Sequence, residues 1–451
     1  MTKGKLAAAA ALAGGVAALK AYSRARSPKP LKTHYLDAPT KVLVVGGGFG
    51  GLAAAESLVR ALDGNPRVGV ALLDETNYTT FYPMVPRAIS SNVEVRHLAH
   101  PLRNIVEPLG AQFYQAEVEG VDFEAREVQT GHGVFSYEYL VLAPGSRTAF
   151  FNTPGVVENA IDFKGLREAL RIRNRIIDCV EEAEWRRGDH GDDLLTFVFV
   201  GGGPTGVEGA AYSHDLIFDV LKGSYPNVDF DRTKVILVNS GDRILKGLDV
   251  PLANAATARF QAQNIELINN TRVTQIHPDH VVLSTGSEIP TRTTIWAAGV
   301  ETGPLVKNLD LPKDGRGRIL VDEFLRVKDH PGVYAVGDCV NIDYDGPPVP
   351  ALAQSAEQEG EKAGHNLAAD IAGGTHTKFV YESLGALVDL GSTSSLADIL
   401  GVKLTGSLGE IVWRVVYLKE LGHNLNRAQV LSDWIVDLIT RPNISKLLEE
   451  E

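Results

Sequence analysis

Two stretches of the chain repeat one pattern of apolar and polar positions. Residues 41–58, KVLVVGGGFGGLAAAESL, and 195–214, LTFVFVGGGPTGVEGAAYSH, each set an apolar, β-rich run ahead of spaced glycines and then a helical periodicity. An unbroken apolar run of this length reads as a strand buried on both faces. A second such strand follows each: VGVALLD, ending in Asp74, and, after an insertion through Tyr225 and Pro226, VILV, running into Asn239. Strand, turn, helix and strand open a doubly wound unit, so the pattern predicts an α/β protein with two of them. TIWAAGV (294–300) reads as the strand leaving the second unit, with Gly299 giving close approach to a ligand. GVYAVGDCV (332–340) is a short buried strand ending in Gly337 and Asp338, and its arrival after both units predicts a return to the first.

The glycines supply the candidate chemistry. Gly46, Gly48 and Gly51, and again Gly201, Gly203 and Gly206, have GxGxxG spacing. The first glycine permits a tight turn, the second lets backbone approach a pyrophosphate, and the third lets helix pack on strand. The helix N-terminus then presents its free N–H groups to the phosphates. One occurrence is a weak signal; two, each between a strand and a helix, indicate two dinucleotide sites. At the end of the second strand a carboxylate accepts hydrogen bonds from ribose hydroxyls. Asp74 meets that expectation and Asn239 does not.

With 451 residues, two or three domains are expected, and 44% hydrophobic with 22% charged residues is a globular balance. The net charge of −12 argues against nucleic acid as a partner. Two cysteines, Cys179 and Cys339, without CxxC spacing, exclude a disulfide framework, a zinc ribbon, an iron–sulfur centre and a dithiol redox pair. No metal site is expected, and redox chemistry has to come from a bound cofactor.

Both ends carry apolar segments. Leu6 to Leu19 is an Ala-rich run between Lys3, Lys5 and Lys20, Arg24, Arg26, shorter than the roughly 20 residues that span a bilayer. A signal peptide, a short or tilted anchor and a soluble helical extension all fit it. Near the C-terminus Val430, Leu431, Trp434, Ile435, Leu438 and Ile439 recur at helical spacing with Asp433 and Asp437 opposite, and Arg414, Lys419, Arg427, Arg441 and Lys446 lie among them. That pattern fits a helix lying in a membrane interface or a helical pair that dimerises.

These residues resemble the two-dinucleotide-binding-domain flavoproteins and, within them, the type II NADH dehydrogenases, the single-subunit NADH:quinone oxidoreductases, from about Val42 to the C-terminus. The resemblance implies that Gly46, Gly48, Gly50, Gly51 and Asp74 hold FAD, with Gly337 and Asp338 at its ribityl and pyrophosphate portion. It implies that Gly201, Gly203, Gly206, Asn239 and Gly299 shape the NAD(P)H site, with Glu208 near the junction of nicotinamide and flavin. NYTTFYPMVPRAISSNVEVRHL (77–98) looks like the family segment that begins beside the flavin and runs toward the membrane side. ALAQSAEQEGEKAGHNLAADI fits the quinone-site pattern AQxAxQ through Ala353, Gln354, Ala356 and Gln358. Gln354 and Gln358, four apart, share a helix face and can offer amide hydrogen bonds to a quinone carbonyl. Pro347, Pro348 and Pro350 suit a helix start, whose positive end is expected to point at the flavin ring.

The expected enzyme is a non-proton-pumping NAD(P)H:quinone oxidoreductase of the respiratory chain, with Glu208, Gln354 and Gln358 as catalytic candidates. Its expected partners are a membrane quinone, the lipid surface and a second copy of itself. Its expected place is peripheral, on the cytoplasmic side of the cell membrane, with the N-terminal run as a candidate anchor. The resemblance divides the chain into an N-terminal segment and linker (1–38), a first part of the FAD domain (39–162), an NAD(P)H domain (163–300), a second part of the FAD domain with the quinone-site helix (301–384) and a C-terminal membrane-binding or dimerisation region (385–451). Two departures stand out: Asn239, and Pro144 in LAPGSR where the related motif has Thr. A neutral amide at 239 would not repel the 2′-phosphate of NADPH and could donate to it, with Ser240 and Arg243 near; it could equally bond ribose hydroxyls. Rival readings are a sulfide:quinone oxidoreductase, which would need working cysteines beside the flavin, and a slow redox-sensing protein that binds flavin and NADH.

Overall fold

The computed structural model describes residues 30–188, 191–346, 348–399, 401–422, 424–437 and 444–446. The N-terminal run, Pro347, Leu438, Ile439 and Arg441 lie outside the described residues.

The first unit opens with β1 (Thr40–Val45), α1 (Phe49–Leu62) and β2 (Val68–Asp74), and adds β3 (Gln112–Gln115) and β4 (Tyr139–Leu142). The chain leaves it through β5 (Ser146–Thr148). The second unit runs through β6 (Ala160–Asp162), α2 (Leu166–Arg186), β7 (Thr196–Val200), α3 (Pro204–Asp215), β8 (Lys234–Val238), β9 (Glu266–Ile268) and β10 (Thr293–Trp296). β11 (Val300–Thr302) leads back, and β12 (Val333–Ala335) rejoins the first sheet. α4 (Ala353–Ala372) follows, then β13 (Ala386–Asp389), β14 (Ser395–Ile399), β15 (Val402–Leu404), α5 (Gly406–Glu420) and α6 (Asn424–Asp437).

The two large sheets have one design. The strand orders are β12-β4-β1-β2-β3 and β6-β10-β7-β8-β9, and every pairing in both is parallel. The central strands β1 and β7 are buried almost throughout, as the unbroken apolar runs require. The GVYAVGDCV strand does return to the first sheet, beside β4. The expected boundary at 162 moves: Ala160–Asp162 pairs with β10, register Ala160↔Thr294, so the second unit begins before β6. β5 and β11 cross between the units as an antiparallel pair, Ser146↔Thr302 to Thr148↔Val300.

The C-terminal region is not purely helical. β13, β14 and β15 form an antiparallel sheet ahead of α5 and α6. The apolar stripe of α6 also splits: Val430 and Trp434 are buried in the core, whereas Leu431 and Ile435 are exposed. Its acidic side is not solvated, because Asp433 meets the His97 ring at 2.6 Å and Asp437 accepts from Asn92 Nδ2 at 2.8 Å. Of the basic residues expected to face lipid, Arg414 pairs with Glu410, Arg427 donates to the Lys419 and Leu421 carbonyls, and Lys446 pairs with Asp178. Among the described residues no helix is long and apolar enough to cross a membrane.

Candidate functional site

The carboxyl ends of both parallel sheets, where open α/β folds bind ligands, open into a single cavity of about 2540 Å³. That is several times a small-molecule pocket of roughly 300–1,000 Å³ and has room for two dinucleotides.

The glycine loops fit phosphates in the same way in both units. A Cβ at Gly46 would stand 2.1 Å from the Ala143 carbonyl oxygen, and one at Gly51 1.9 Å from that of Gly46. In the second loop a Cβ at Gly201 would stand 2.2 Å from the Ala297 oxygen, and one at Gly206 2.0 Å from that of Gly201. At Gly48 and Gly203 a Cβ would meet nothing within 4 Å. The outer glycines are therefore demanded by the protein's own backbone, and the middle one borders the space a pyrophosphate would fill. Gly46 and Gly201, at φ 103° and 124°, also take backbone shapes that favour glycine.

Gly50 serves a different contact. With Gly360 and Gly364 it lets α1 and α4 approach backbone to backbone; a Cβ on Gly360 would lie 2.1 Å from the Gly50 oxygen. This contact fixes the N-terminal end of α4 at the cavity, where Ala353, Gln354 and Ala356 line it.

Asp74 lines the cavity, with Oδ2 accepting from Gly47 N–H at 2.7 Å and Oδ1 from Thr76 N–H and Oγ1 at 2.8 Å. Asp338 Oδ2 accepts from Ser146 Oγ at 2.5 Å, and Lys164 Nζ donates to that hydroxyl at 2.8 Å. Burial depresses the Lys164 ammonium's pKa, and the nearby Asp338 and Asp162 partly restore it. Positions 146, 164 and 338 meet only through the fold, so no spacing in the sequence announced Lys164.

Glu208 stands on α3 and lines the cavity. Its Oε1 accepts from the Asp389 N–H at 3.0 Å. Desolvation, reinforced by the Asp389 charge, raises its carboxyl well above the usual range. Behind it lies a buried ionic node. Arg87 donates to both Asp389 oxygens at 3.0 and 3.2 Å and to both Glu410 oxygens at 2.9 Å, with its guanidinium carbon 3.7 Å from the Trp413 ring centroid. Tyr212 Oη donates to Asp389 at 2.8 Å. Burial pushes Asp389 up to about 6 despite Arg87.

Three of the expected site amides are already bonded within the protein. Gln354 and Gln358 share a helix face, and each commits its amide oxygen and one of its two N–H donors to backbone. Gln354 donates to the Gly385 carbonyl at 3.0 Å and accepts from Leu384 N–H at 3.1 Å; Gln358 does the same with Glu382 at 2.8 and 3.0 Å. The pair straps segment 382–385 to α4, and Gln358 does not line the cavity. Asn239 lines it, yet its Nδ2 donates to Gly241 O at 3.1 Å and Asn269 Oδ1 at 2.7 Å, and its Oδ1 accepts from Gly241 N–H at 3.2 Å. Both donors are used, so the amide has none left for a 2′-phosphate; what remains for a nucleotide is its lack of charge and the second lone pair of Oδ1.

Cys179 and Cys339 are both buried free thiols. Burial and, for Cys339, nearby Glu359 raise their pKa values, the opposite of what a redox-active thiolate needs.

The chain's similarities to known proteins fall on this architecture. The family model described as pyridine nucleotide-disulphide oxidoreductase matches residues 40–360. A probable NADH dehydrogenase of Dictyostelium discoideum is 30% identical over 415 residues, 90% of this chain and 91% of that one. The mitochondrial internal alternative NAD(P)H-ubiquinone oxidoreductase A1 of Solanum tuberosum is 31% identical over 456 residues, 91% and 89% of the two chains. The structure of NDH2 from Plasmodium falciparum in complex with NADH is alike in fold, with a TM-score of 0.81 at 21% identity, covering 90% of this chain and 100% of that one.

Proposed function

Since the chain belongs to the pyridine nucleotide-disulphide oxidoreductase family, we propose that it is an FAD-dependent, non-proton-pumping NAD(P)H:quinone oxidoreductase of the type II NADH dehydrogenase kind. The observation that carries the reading is the single cavity: both glycine cradles open into it, and it continues past the start of α4 to Tyr417 and Glu420 on α5. Two dinucleotides and a further acceptor can thus share one space without a mobile carrier.

When bound, FAD supplies hydride acceptance and the transfer of two electrons to quinone. The chain supplies position and field. Gly46, Gly48, Gly51 and Asp74 would hold it, with Gly337 and Asp338 at the return strand; Gly201, Gly203, Gly206 and Gly299 hold the nicotinamide nucleotide. Glu208, high in pKa beside the nicotinamide site, can carry a proton at its carboxyl oxygen. Gln354 and Gln358 act on the quinone end by holding the 382–385 strap in place. The same reading has NADPH accepted beside NADH, because Asn239 sets no carboxylate against a 2′-phosphate.

The quinone's origin sets the protein's place. Leu408, Ile411 and Val415 recur along α5 and Ile435 and Val436 on α6, all exposed. We infer that this apolar face lies on a bilayer and delivers quinone to the α5 end of the cavity, in a peripheral, homodimeric enzyme.

The decisive experiment is anaerobic. NADH or NADPH is expected to bleach the flavin of the loaded protein, and a soluble quinone to restore its colour. Bleaching without recovery would support a flavin and NADH sensor instead, and no bleaching would remove the oxidoreductase reading.

A further inference from the structure

Phe151 adopts φ 51° and Asn152 φ 53°, two left-handed residues in succession. Thr153 N–H bonds the Phe150 carbonyl at 2.9 Å, so residues 150–153 form a tight turn of the primed kind. Asn suits such a turn; a bulky aromatic does not, and strain of this sort persists where the side chain has a use. The Phe151 ring gains nothing from the core to offset it, being 65% exposed. It lies instead on the cavity wall, its Cζ 3.3 Å from where a Cβ of Gly299 would be. Ala149 N–H to Gly299 O at 3.0 Å ties the turn to that glycine, and Val300 beside it is also exposed. Gly299 follows β10, whose end touches the second glycine loop through Ala297 and Gly201. The ring therefore stands at the carboxyl edge of the nicotinamide-nucleotide sheet.

We propose that Phe151 is a binding residue for the nicotinamide nucleotide, laying its ring over the bound NADH where the chain crosses between the two units. The inference rests on the oxidoreductase reading and deepens it. An aromatic wall gives apolar cover at little entropic cost, and Gly299, bare of a side chain, leaves room for the ring to lie at the cavity wall.

The test compares flavin-loaded wild type with Phe151→Gly and Phe151→Tyr, reading KM for NADH and for quinone, NADH binding through the flavin spectrum, and the thermal midpoint of flavin release. Glycine relaxes the turn, so Phe151→Gly should keep or raise the midpoint while raising the KM for NADH about tenfold and leaving the KM for quinone unchanged. Phe151→Tyr should restore NADH binding. A KM for NADH within twofold of wild type in Phe151→Gly, or a rise accompanied by a fallen midpoint, would overturn the inference. Wild-type flavin that NADH does not bleach would instead overturn the reading beneath it.

Discussion

Replacing Arg87 with methionine tests whether the buried ionic node is held by charge or by packing. Methionine keeps most of the volume and the apolar stem, so the change is confined to the guanidinium. In the native protein that group is wholly buried and makes four hydrogen bonds of 2.9–3.2 Å to Asp389 and Glu410, whose side chains are 2% and 8% exposed. Its loss leaves two carboxylates facing one another in a site water hardly reaches. Breaking a buried pair by removing one partner costs about 3–5 kcal/mol. The stacking of Arg87 on Trp413 is part of that sum.

The sign of the pH dependence separates the two accounts. Asp389 is already raised to about 6 with Arg87 present. Glu410 is the reverse: burial works to raise it, but Arg87, the Ser395 hydroxyl and Arg414 outweigh burial and lower it. Without Arg87 both rise. A carboxyl raised on folding is no burden below its unfolded pKa of about 4 and takes stability away as pH climbs through the folded value. The deficit of Arg87→Met should therefore be largest at pH 8 and shrink at pH 5.5. At about 2–4 °C per kcal/mol for units of this size, the midpoint at pH 8 should fall by roughly 6–20 °C, read by flavin release and circular dichroism. Adding Asp389→Asn and Glu410→Gln should recover much of it. An equal deficit at both pH values would refute the reasoning and assign the loss to packing.

Three further outcomes are expected. Gly51→Ala drives a Cβ to 1.9 Å from the Gly46 oxygen and should abolish FAD retention, whereas Gly206→Ala, 2.0 Å from the Gly201 oxygen, should keep FAD but lose bleaching by NADH; absorbance at the flavin band reads both. Asn239→Asp converts two donated hydrogen bonds into clashes between acceptors, each worth about 0.5–1.5 kcal/mol, and adds the charge that repels a 2′-phosphate. It should lower the thermal midpoint and cut kcat/KM for NADPH more than for NADH, and equal loss for the two would remove Asn239 from cofactor choice. Glu208→Gln keeps an acceptor for the Asp389 N–H, and because the native carboxyl is raised on folding, the variant should gain stability over wild type as pH increases and show no gain near pH 4; a gain that is flat with pH would mean that Glu208 is not buried as a costly charge.

The sequence made the two nucleotide units legible because their determinants are local. A strand, three glycines and a helix lie within residues 40–62 and again within 196–215, and the third glycine of each loop answers to the first, five positions back. The return of GVYAVGDCV to the first sheet could be read from its order, because it is a buried strand that arrives after both nucleotide units. What could not be read depended on distance along the chain. Arg87 meets its partners 302 and 323 residues later, and Ser146 reaches Asp338 across 192. The glutamines show the limit most sharply: their helical spacing placed them on one face, but which atoms stay free was decided by a strap 24 to 31 residues on. Asn239 repeats the lesson, since its position at the nucleotide follows from the motif while the commitment of its amide follows from Asn269. A motif thus assigns a location to a ligand, and the polar atoms left to meet that ligand are those that the long-range hydrogen bonds have not already taken.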